Sequence, residues 1–176
     1  REQGKPLRQA RDEVIYGAAY LEWYAEEAPR IAGMTLRQAH ADKDIEISRE
    51  PIGVTAAITP WNFPVATVTR KLAPALAAGC AQIIKPAPTT PFCALAIAAL
   101  AEACDFPPGL ISVVTGDAAL IGAELTAHPD VRMLTFTGST AVGKLLYRQC
   151  AGTVKKLALE LGGNAAFIVF DDADID

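Results

Sequence analysis

The stretch Met-Leu-Thr-Phe-Thr-Gly-Ser-Thr, residues 133–140, decides the fold class of this chain. Its apolar start favours a buried strand, and the Gly-Ser-Thr that follows is typical of a turn into a helix. Backbone N–H groups and a hydroxyl at a helix start favour a bound anion such as phosphate. A plain helix N-cap at Ser139 or Thr140 explains the same residues equally well. Gly138 and Gly143 do not match G-x-G-x-x-G, so the usual dinucleotide fingerprint is absent.

The same alternation of strand and helix runs through most of the chain. Short apolar segments predict strands at 53–59, 81–84, 111–115, 133–136, 156–160 and 166–170. Alanine-rich segments between them predict helices at 67–78, 91–103, 118–127 and 140–149. Nearly continuous apolar strands separated by helices favour a parallel sheet that is covered on both faces. The predicted fold class is therefore α/β, with a Rossmann-like parallel sheet.

The first 50 residues differ in character from the rest. Apolar residues recur at roughly helical spacing over 7–32, and residues 44–48 alternate as an exposed strand does. From Pro51 onward the chain becomes rich in Ala, Val, Ile, Gly and Pro, which predicts a domain boundary there. A charged beginning and a final segment that reads as the start of a helix indicate part of a larger protein.

The composition argues against several functional classes. Of 176 residues, 51% are hydrophobic and 20% are charged, and the net charge is −4, so we expect a globular protein that does not bind nucleic acid. No apolar run approaches the roughly 20 residues of a membrane span. The four cysteines lack metal-site spacing, so we expect no metal and buried, reduced thiols in the cytoplasm. They are Cys80, Cys93, Cys104 and Cys150.

Two polar residues are candidates for catalysis. Glu160 lies at the end of an apolar strand and is followed by Leu161 and two glycines. Partial burial would raise the pKa of its carboxyl group towards the range of a general base. Asn62 lies in Pro-Trp-Asn-Phe-Pro, residues 60–64, where a rigid side-chain amide suits a developing oxyanion. An Asx-turn is the alternative for Asn62.

Two more residues follow predicted strands, where ligands of parallel α/β sheets bind. Lys85 could donate to ribose hydroxyls or to phosphate, and a surface lysine is the alternative. Gly116, in Thr-Gly-Asp at 115–117, is a weaker candidate that a structural turn explains as well.

In order and spacing these motifs resemble the aldehyde dehydrogenase family over essentially the whole chain. Segments similar to its succinate-semialdehyde dehydrogenase branch are 2–7, 49–54, 159–164 and 170–174. The resemblance implies that residues 1–50 are part of an N-terminal helical and oligomerisation region, and that 51–176 are part of an NAD(P)-binding domain. It also implies oxidation of a small aldehyde with NADP or NAD, by a homo-oligomer that is a dimer or tetramer.

The resemblance implies a role for each candidate residue. Asn62 would hold the oxyanion of a thiohemiacetal, and Glu160 would activate the water that hydrolyses the thioester. Lys85 would contact the adenosine ribose or its phosphate, and Ser139 would contact the pyrophosphate. The turns with Gly138, Gly143 and Gly116 would contact the cofactor, and the Leu161 backbone would lie beside the nicotinamide. Trp61 would line the cofactor channel and Phe63 the substrate channel where the two meet.

Pro88 and Arg70 bear on specificity. NAD-preferring relatives often carry Glu three residues after the lysine, and Pro88 in that place favours NADP slightly. Arg70 would face the substrate tunnel and pair with the distal carboxylate of succinate semialdehyde. Glutarate semialdehyde fits the same reasoning, and a surface arginine is the alternative.

The nucleophilic cysteine of the family is expected beyond residue 176, and none of the four cysteines present has a matching context. We therefore expect activity from the full-length protein and not from this chain alone. A dinucleotide-binding module without turnover and a non-catalytic structural relative are the alternatives. Glu160 argues against relatives that transfer the acyl group to coenzyme A, since those need no such base.

Overall fold

The computed structural model describes residues 2–37 and 44–174. The chain begins with a long helix, α1 (Leu7–Glu27), and a short 3-10 helix (Ala28–Arg30). Two antiparallel strands follow, β1 (Met34–Arg37) and β2 (Asp44–Ile47), both exposed along their length. The predictions of α1 and β2 are confirmed. Strand β1 was not predicted, although its four residues alternate apolar and polar as those of β2 do.

The rest of the chain builds one parallel sheet. Its strands are β3 (Val54–Ile58), β4 (Gln82–Lys85), β5 (Ile111–Val113), β6 (Val131–Thr137) and β7 (Lys156–Glu160). The helices between them are α2 (Ala66–Ala77), α3 (Phe92–Ala103), α4 (Ala118–Ala127) and α5 (Thr140–Cys150). A second 3-10 helix (Ala151–Thr153) precedes β7. The strand order is β5-β4-β3-β6-β7, and all four pairings are parallel.

Neighbouring residues of β3 face the two sides of the sheet, because successive side chains of a strand alternate. Ala56 packs in a core with Leu134 of β6 and Leu146 of α5. Ala57 packs in a second core with Leu72 of α2 and Ile84 of β4. Helices therefore cover both faces, and the predicted α/β fold is confirmed.

The strand order reverses beside β3. The chain moves first to β4 and β5 on one side of β3, and then returns to β6 and β7 on the other side. In open parallel sheets, ligands bind at such a switch point, outside the carboxyl ends of the strands. The loop over 59–65 and the turn at 138–139 leave these two neighbouring ends, so the fold places both predicted motifs at one edge.

The predicted strand at 166–170 is wrong. This segment has no regular secondary structure, and Phe167 is 92% exposed. A strand needs hydrogen-bonding partners for its backbone, and this segment pairs with none of the described strands. Its apolar composition indicates strand propensity but cannot supply a neighbour. The helix start predicted for the end of the chain lies partly at 175–176, outside the described residues.

Helix α1 lies close against α2 at Gly17. A Cβ atom at Gly17 would lie 2.7 Å from Val65 Cγ1 and 3.2 Å from Thr69 Oγ1. Any larger side chain would have to push the helices apart, since close-packed interiors have little free volume. Contact between α1 and α2 crosses the predicted domain boundary at Pro51, and the division into two domains stays a prediction.

The buried carboxylate of Glu13 joins α1 to the start of α2. It accepts hydrogen bonds from the backbone N–H groups of Val65 at 2.8 Å and Ala66 at 3.3 Å. These groups are otherwise unpaired at a helix start, where negative charge is also favoured. Lys5 forms an ion pair with the same carboxylate. In the described part of the chain, no helix is long and apolar enough to cross a membrane.

Glu13→Gln should lower the free energy of unfolding by about 3 kcal/mol, because Lys5, whose side chain is only 11% exposed, would lose its charge partner. Urea-induced unfolding followed by circular dichroism measures the change. The matched control is Asp12→Asn, which removes an exposed carboxylate from the same helix and should cost less than about 0.5 kcal/mol. Equal losses in the two variants would contradict the importance of the pair.

Candidate functional site

Backbone hydrogen bonds tie the candidate residues together at the carboxyl edge of the sheet. The Thr59 N–H donates to the Lys85 carbonyl oxygen at 3.1 Å, and the Gly138 N–H donates to the Glu160 carbonyl oxygen at 3.0 Å. The first bond brings the loop after β3 to the end of β4, and the second brings the turn after β6 to the end of β7. Lys85, Gly138 and Glu160 therefore lie along one edge, as the sequence predicts.

The backbone of Asn62 is held by the N-terminal segment. Its carbonyl oxygen accepts hydrogen bonds from Gln3 Nε2 and Lys5 Nζ, both at 2.9 Å. The Lys5 ammonium also lies 3.9 Å from the centre of the Phe63 ring. Among the described residues the exposed side-chain amide of Asn62 makes no hydrogen bond, so the Asx-turn alternative is not found. The amide is a free donor on a fixed backbone.

The two aromatic residues that flank Asn62 are exposed. Trp61 is 58% and Phe63 is 47% exposed. Phe63 lines a cavity of about 400 Å³ together with Lys5 and with two residues of α1, Glu13 and Tyr16. The substrate role predicted for Phe63 thus has a cavity beside it.

Ser139 is the N-cap of α5. Its hydroxyl oxygen accepts a 3.4 Å hydrogen bond from a backbone N–H of the first turn. A Cβ atom at Gly138 would overlap the ring of Phe136, and one at Gly143 would overlap the side chain of Leu161. In this structure the two glycines make room for neighbouring side chains and Ser139 caps a helix. Their contacts with a pyrophosphate stay predictions.

The turn at Gly116 is well explained by the start of α4. Asp117 accepts hydrogen bonds from the N–H groups of Ala119 at 2.9 Å and Leu120 at 2.8 Å, which is an ordinary N-cap. Gly116 has a φ of +143°, a backbone conformation that favours glycine. The structural alternative accounts for this turn fully.

Lys85 is buried at the end of β4, so the surface-lysine alternative is wrong. It is 3% exposed, and its ammonium donates one hydrogen bond, to the Pro86 carbonyl oxygen at 3.1 Å. Burial lowers the pKa of Lys85, and the nearby charge of Asp117 opposes that shift. Two of its three ammonium protons have no partner among the described residues.

Two buried hydroxyls near this lysine are also unsatisfied. Thr59 Oγ1, after β3, and Thr90 Oγ1, after β4, lack hydrogen-bond partners in the described part of the chain. Pro88 lies on the exposed side of the turn that Thr90 closes. Buried polar groups are normally paired, so unused donors at a strand edge fit the ribose and phosphate oxygens of a dinucleotide.

Glu160 is more exposed than the sequence predicts. Glu160 lies on β7, an edge strand of the described sheet, and it is exposed there. The predicted partial burial is therefore wrong within the described part of the chain. Glu160 lines a groove of about 350 Å³ that also includes Arg70 and Lys71 of α2 and Thr135 of β6. Carboxylate, guanidinium and ammonium thus share one groove.

Lys71 is a functional candidate that the sequence analysis missed. It is 8% exposed, and its ammonium donates to Thr135 Oγ1 at 2.8 Å. Burial lowers its pKa to about 8, with Glu160 acting against that shift and Arg70 adding to it. Its position three residues after buried Val68 places it on the inner face of α2, which was the available signal.

Arg70 is held by two tyrosines of α1. Its Nε donates to Tyr20 Oη and its Nη2 donates to Tyr16 Oη, each at 3.0 Å. No described carboxylate forms an ion pair with Arg70. Arg70 is exposed on α2, as the surface-arginine alternative predicts, and the tyrosines orient its charge without neutralising it.

The four cysteines differ in burial, and the thiol pKa is raised in two of them. Cys80 and Cys150 are buried as predicted, Cys93 is half-buried, and the prediction is wrong for Cys104, which is exposed. Burial, together with Glu2, raises the pKa of Cys93 to about 11, and burial raises the pKa of Cys150. Protonated thiols react poorly. The described residues contain no cluster of His, Cys, Asp or Glu that could hold a metal ion.

The reversed strand order and the unsatisfied donors at the carboxyl edge define an α/β fold of the dinucleotide-binding class. Within that class, the chain belongs to the aldehyde dehydrogenase family, whose profile it matches over residues 1–176.

Named relatives are similar over the whole chain. The 3-sulfolactaldehyde dehydrogenase of Pseudomonas putida is 61% identical, and the NADP(+) succinate-semialdehyde dehydrogenase of Escherichia coli (strain K12) is 58% identical, each over 175 residues. The crystal structure of succinate-semialdehyde dehydrogenase from Burkholderia pseudomallei is 62% identical with a TM-score of 0.92, covering 98% of this chain. The two sequence comparisons cover 99% of this chain, and the structural one covers 98%. In turn, this chain spans 36% of the length of each of the three relatives.

Lys71 should titrate near pH 8, below the ordinary lysine value of 10.5. Glu160→Gln should lower this pKa further, and Arg70→Met should raise it, as measured by NMR of labelled lysine Cε atoms. Because the pKa is lower in the folded state, the unfolded chain binds more protons between pH 8 and 10.5, and the contribution of Lys71 to stability rises with pH there. Titration at the ordinary value, unchanged by both variants, would contradict the shared groove.

Proposed function

We propose that the full-length protein oxidises an aldehyde that carries an anionic group at its far end, with succinate semialdehyde as the best candidate. The observation that carries this proposal is the uncompensated charge of Arg70, in the groove that also contains Glu160. Guanidinium groups pair bidentately with carboxylates. Relatives named for succinate semialdehyde and 3-sulfolactaldehyde support the proposal, since both compounds have an anionic end.

The residues of this chain would divide the chemistry among them. The free Asn62 amide would donate a hydrogen bond to the oxyanion that forms when a cysteine, contributed from beyond this chain, attacks the aldehyde. Glu160 would take a proton from the water that hydrolyses the resulting thioester. The charge of Glu160 acts on the pKa of Lys71, so the two groups interact, and a protonated Lys71 would stabilise the carboxylate of Glu160. A bound dinucleotide would supply the hydride acceptor.

The cofactor would lie at the switch point of the sheet. Lys85 would donate to the adenosine ribose or its 2′-phosphate, and Pro88 offers no carboxylate to repel that phosphate. The turns at Gly116 and 138–143, with Trp61 and the Leu161 backbone, would line the remainder. We favour NADP over NAD, supported by the relative whose name includes NADP(+).

Other features of the full-length protein are proposals of the same kind. Glutarate semialdehyde is one carbon longer and suits the same arginine. A location in the cytoplasm is supported by four free cysteines, and a homo-oligomer by apolar side chains exposed on α1 such as Ile15 and Trp23. The alternative of a dinucleotide-binding module, in which this chain alone binds a dinucleotide without turnover, is compatible with a nucleophilic cysteine that lies beyond residue 176.

Arg70→Ala should raise the KM of the full-length enzyme for succinate semialdehyde about 30-fold, because a charge-assisted pair worth about 2 kcal/mol is lost. Initial rates of NADPH formation measure the effect, with acetaldehyde as the uncharged comparison. Arg11→Ala, an exposed arginine of α1, is the matched control. Preference for acetaldehyde in the wild-type enzyme would contradict the proposed substrate.

Lys85→Met should weaken NADP binding more than NAD binding, by about tenfold in the ratio of their Kd values, because a phosphate contact is lost in addition to ribose contacts. Quenching of intrinsic fluorescence by each dinucleotide measures the Kd values. Equal weakening of both cofactors would place Lys85 at a ribose hydroxyl instead of the 2′-phosphate. No weakening of either would remove Lys85 from the cofactor site.

A further inference from the structure

The two tyrosines beside Arg70 form a defined group with it. Tyr16 and Tyr20 are one turn apart on α1, so their side chains lie on the same face of the helix. Their hydroxyl groups are hydrogen-bonded to each other, and both accept from Arg70 at 3.0 Å. The guanidinium carbon lies 5.2 Å from the Tyr20 ring centre and 5.9 Å from that of Tyr16, within the range of cation–π attraction.

Counting donors shows which side of the guanidinium is left free. A guanidinium has five N–H groups. The tyrosines accept one from Nε and one from Nη2, so the pair on Nη1 and the second on Nη2 remain without a partner among the described residues. One N–H on Nη1 and the second on Nη2 point off the end of the group, away from the tyrosines, where two parallel hydrogen bonds to an anion can form, and the other Nη1 N–H points along the opposite edge.

Counting hydroxyl protons identifies one more donor. The bond between the tyrosines uses one of their two protons, and neither proton is needed for the bonds from Arg70. Either hydroxyl can be the donor of that bond, so one of the two protons is left over. Tyr16 is the more exposed of the two tyrosines, at 48%, and can present this proton to a ligand.

The helix contact keeps this arrangement in place. Gly17, next to Tyr16, allows α1 to approach α2 closely enough that Val65 occupies the space a Cβ atom would need. Tyr16 also lines the cavity that Phe63 lines, and Arg70 lines the groove of Glu160. The group therefore lies between the aromatic loop and the proposed base.

We propose that Tyr16, Tyr20 and Arg70 form one receptor for the anionic end of the substrate. Tyr20 is a positioning residue that fixes the guanidinium, and Tyr16 also donates its own O–H to the bound anion. Three convergent donor groups, Nη1, Nη2 and the Tyr16 hydroxyl, suit the three oxygens of a sulfonate as well as the two of a carboxylate. The inference rests on the proposed function, since it concerns the same substrate site.

The test compares kcat/KM for succinate semialdehyde with kcat/KM for butanal, which has a methyl group in place of the carboxylate, in the full-length enzyme. Tyr16→Phe and Tyr20→Phe should each lower this ratio about tenfold, mainly through KM of the charged aldehyde. Tyr24→Phe, one turn further along α1 and without a described hydroxyl contact, is the matched control and should leave the ratio unchanged. Thermal midpoints of the variants show whether each one folds normally.

A double-mutant cycle separates positioning from packing. In an Arg70→Lys background, which keeps the charge but has no planar fork, Tyr20→Phe should have no further effect on the ratio. If Arg70→Ala lowers the ratio and neither tyrosine variant does, the receptor is overturned and the proposed function stands. If Arg70→Ala leaves the ratio unchanged, both fail. A fall in butanal turnover equal to that for the semialdehyde would also overturn the receptor, because it would indicate a general packing role.

Discussion

The candidate site depends on one buried carboxylate, that of Glu13. No side chain of its own segment caps the start of α2, and Glu13 from α1 supplies the missing acceptor. The same carboxylate neutralises Lys5, whose ammonium also holds the carbonyl oxygen of Asn62. A buried charge without a partner is costly, so each of these groups fixes the position of the others. The proposed oxyanion donor is thereby tied to residues more than 50 positions earlier in the chain.

The N-terminal segment uses the same device a second time. Glu2 accepts hydrogen bonds from the N–H groups of Phe92 at 3.1 Å and Cys93 at 3.3 Å, at the start of α3. Like α2, this helix has no side-chain cap of its own. Glu13 and Glu2 therefore cap α2 and α3, two consecutive helices of the parallel α/β sheet. The buried atoms that stay unsatisfied among the described residues include Thr59 Oγ1 and Thr90 Oγ1, beyond the carboxyl ends of β3 and β4, where a ligand can pair with them.

Local patterns were sufficient to predict the fold but not the environment of the site. Apolar runs and alanine-rich segments predicted all five strands of the parallel sheet and the four helices between them, because those signals lie within each element. The segment at 166–170 has the same strand propensity but pairs with no described strand, which its own residues cannot reveal. Exposure of Glu160, burial of Lys71 and the tyrosine contacts of Arg70 are likewise set by elements distant in sequence. Motif order indicated where the site lies, and tertiary packing decided which charges are covered.

The charges in the groove act on one another, which connects substrate recognition with the proposed base. Lys71 lies between a carboxylate that favours its protonated form and an arginine that disfavours it. An anion bound at Arg70 would offset the arginine's charge, and removing that repulsion favours the protonated ammonium. A protonated Lys71 places a positive charge in the groove that Glu160 also lines. An uncharged aldehyde provides no such compensation, so the arginine would influence the water-activating step as well as binding. The group proposed to recognise the far end of the substrate and the group proposed to activate water therefore act on the same lysine.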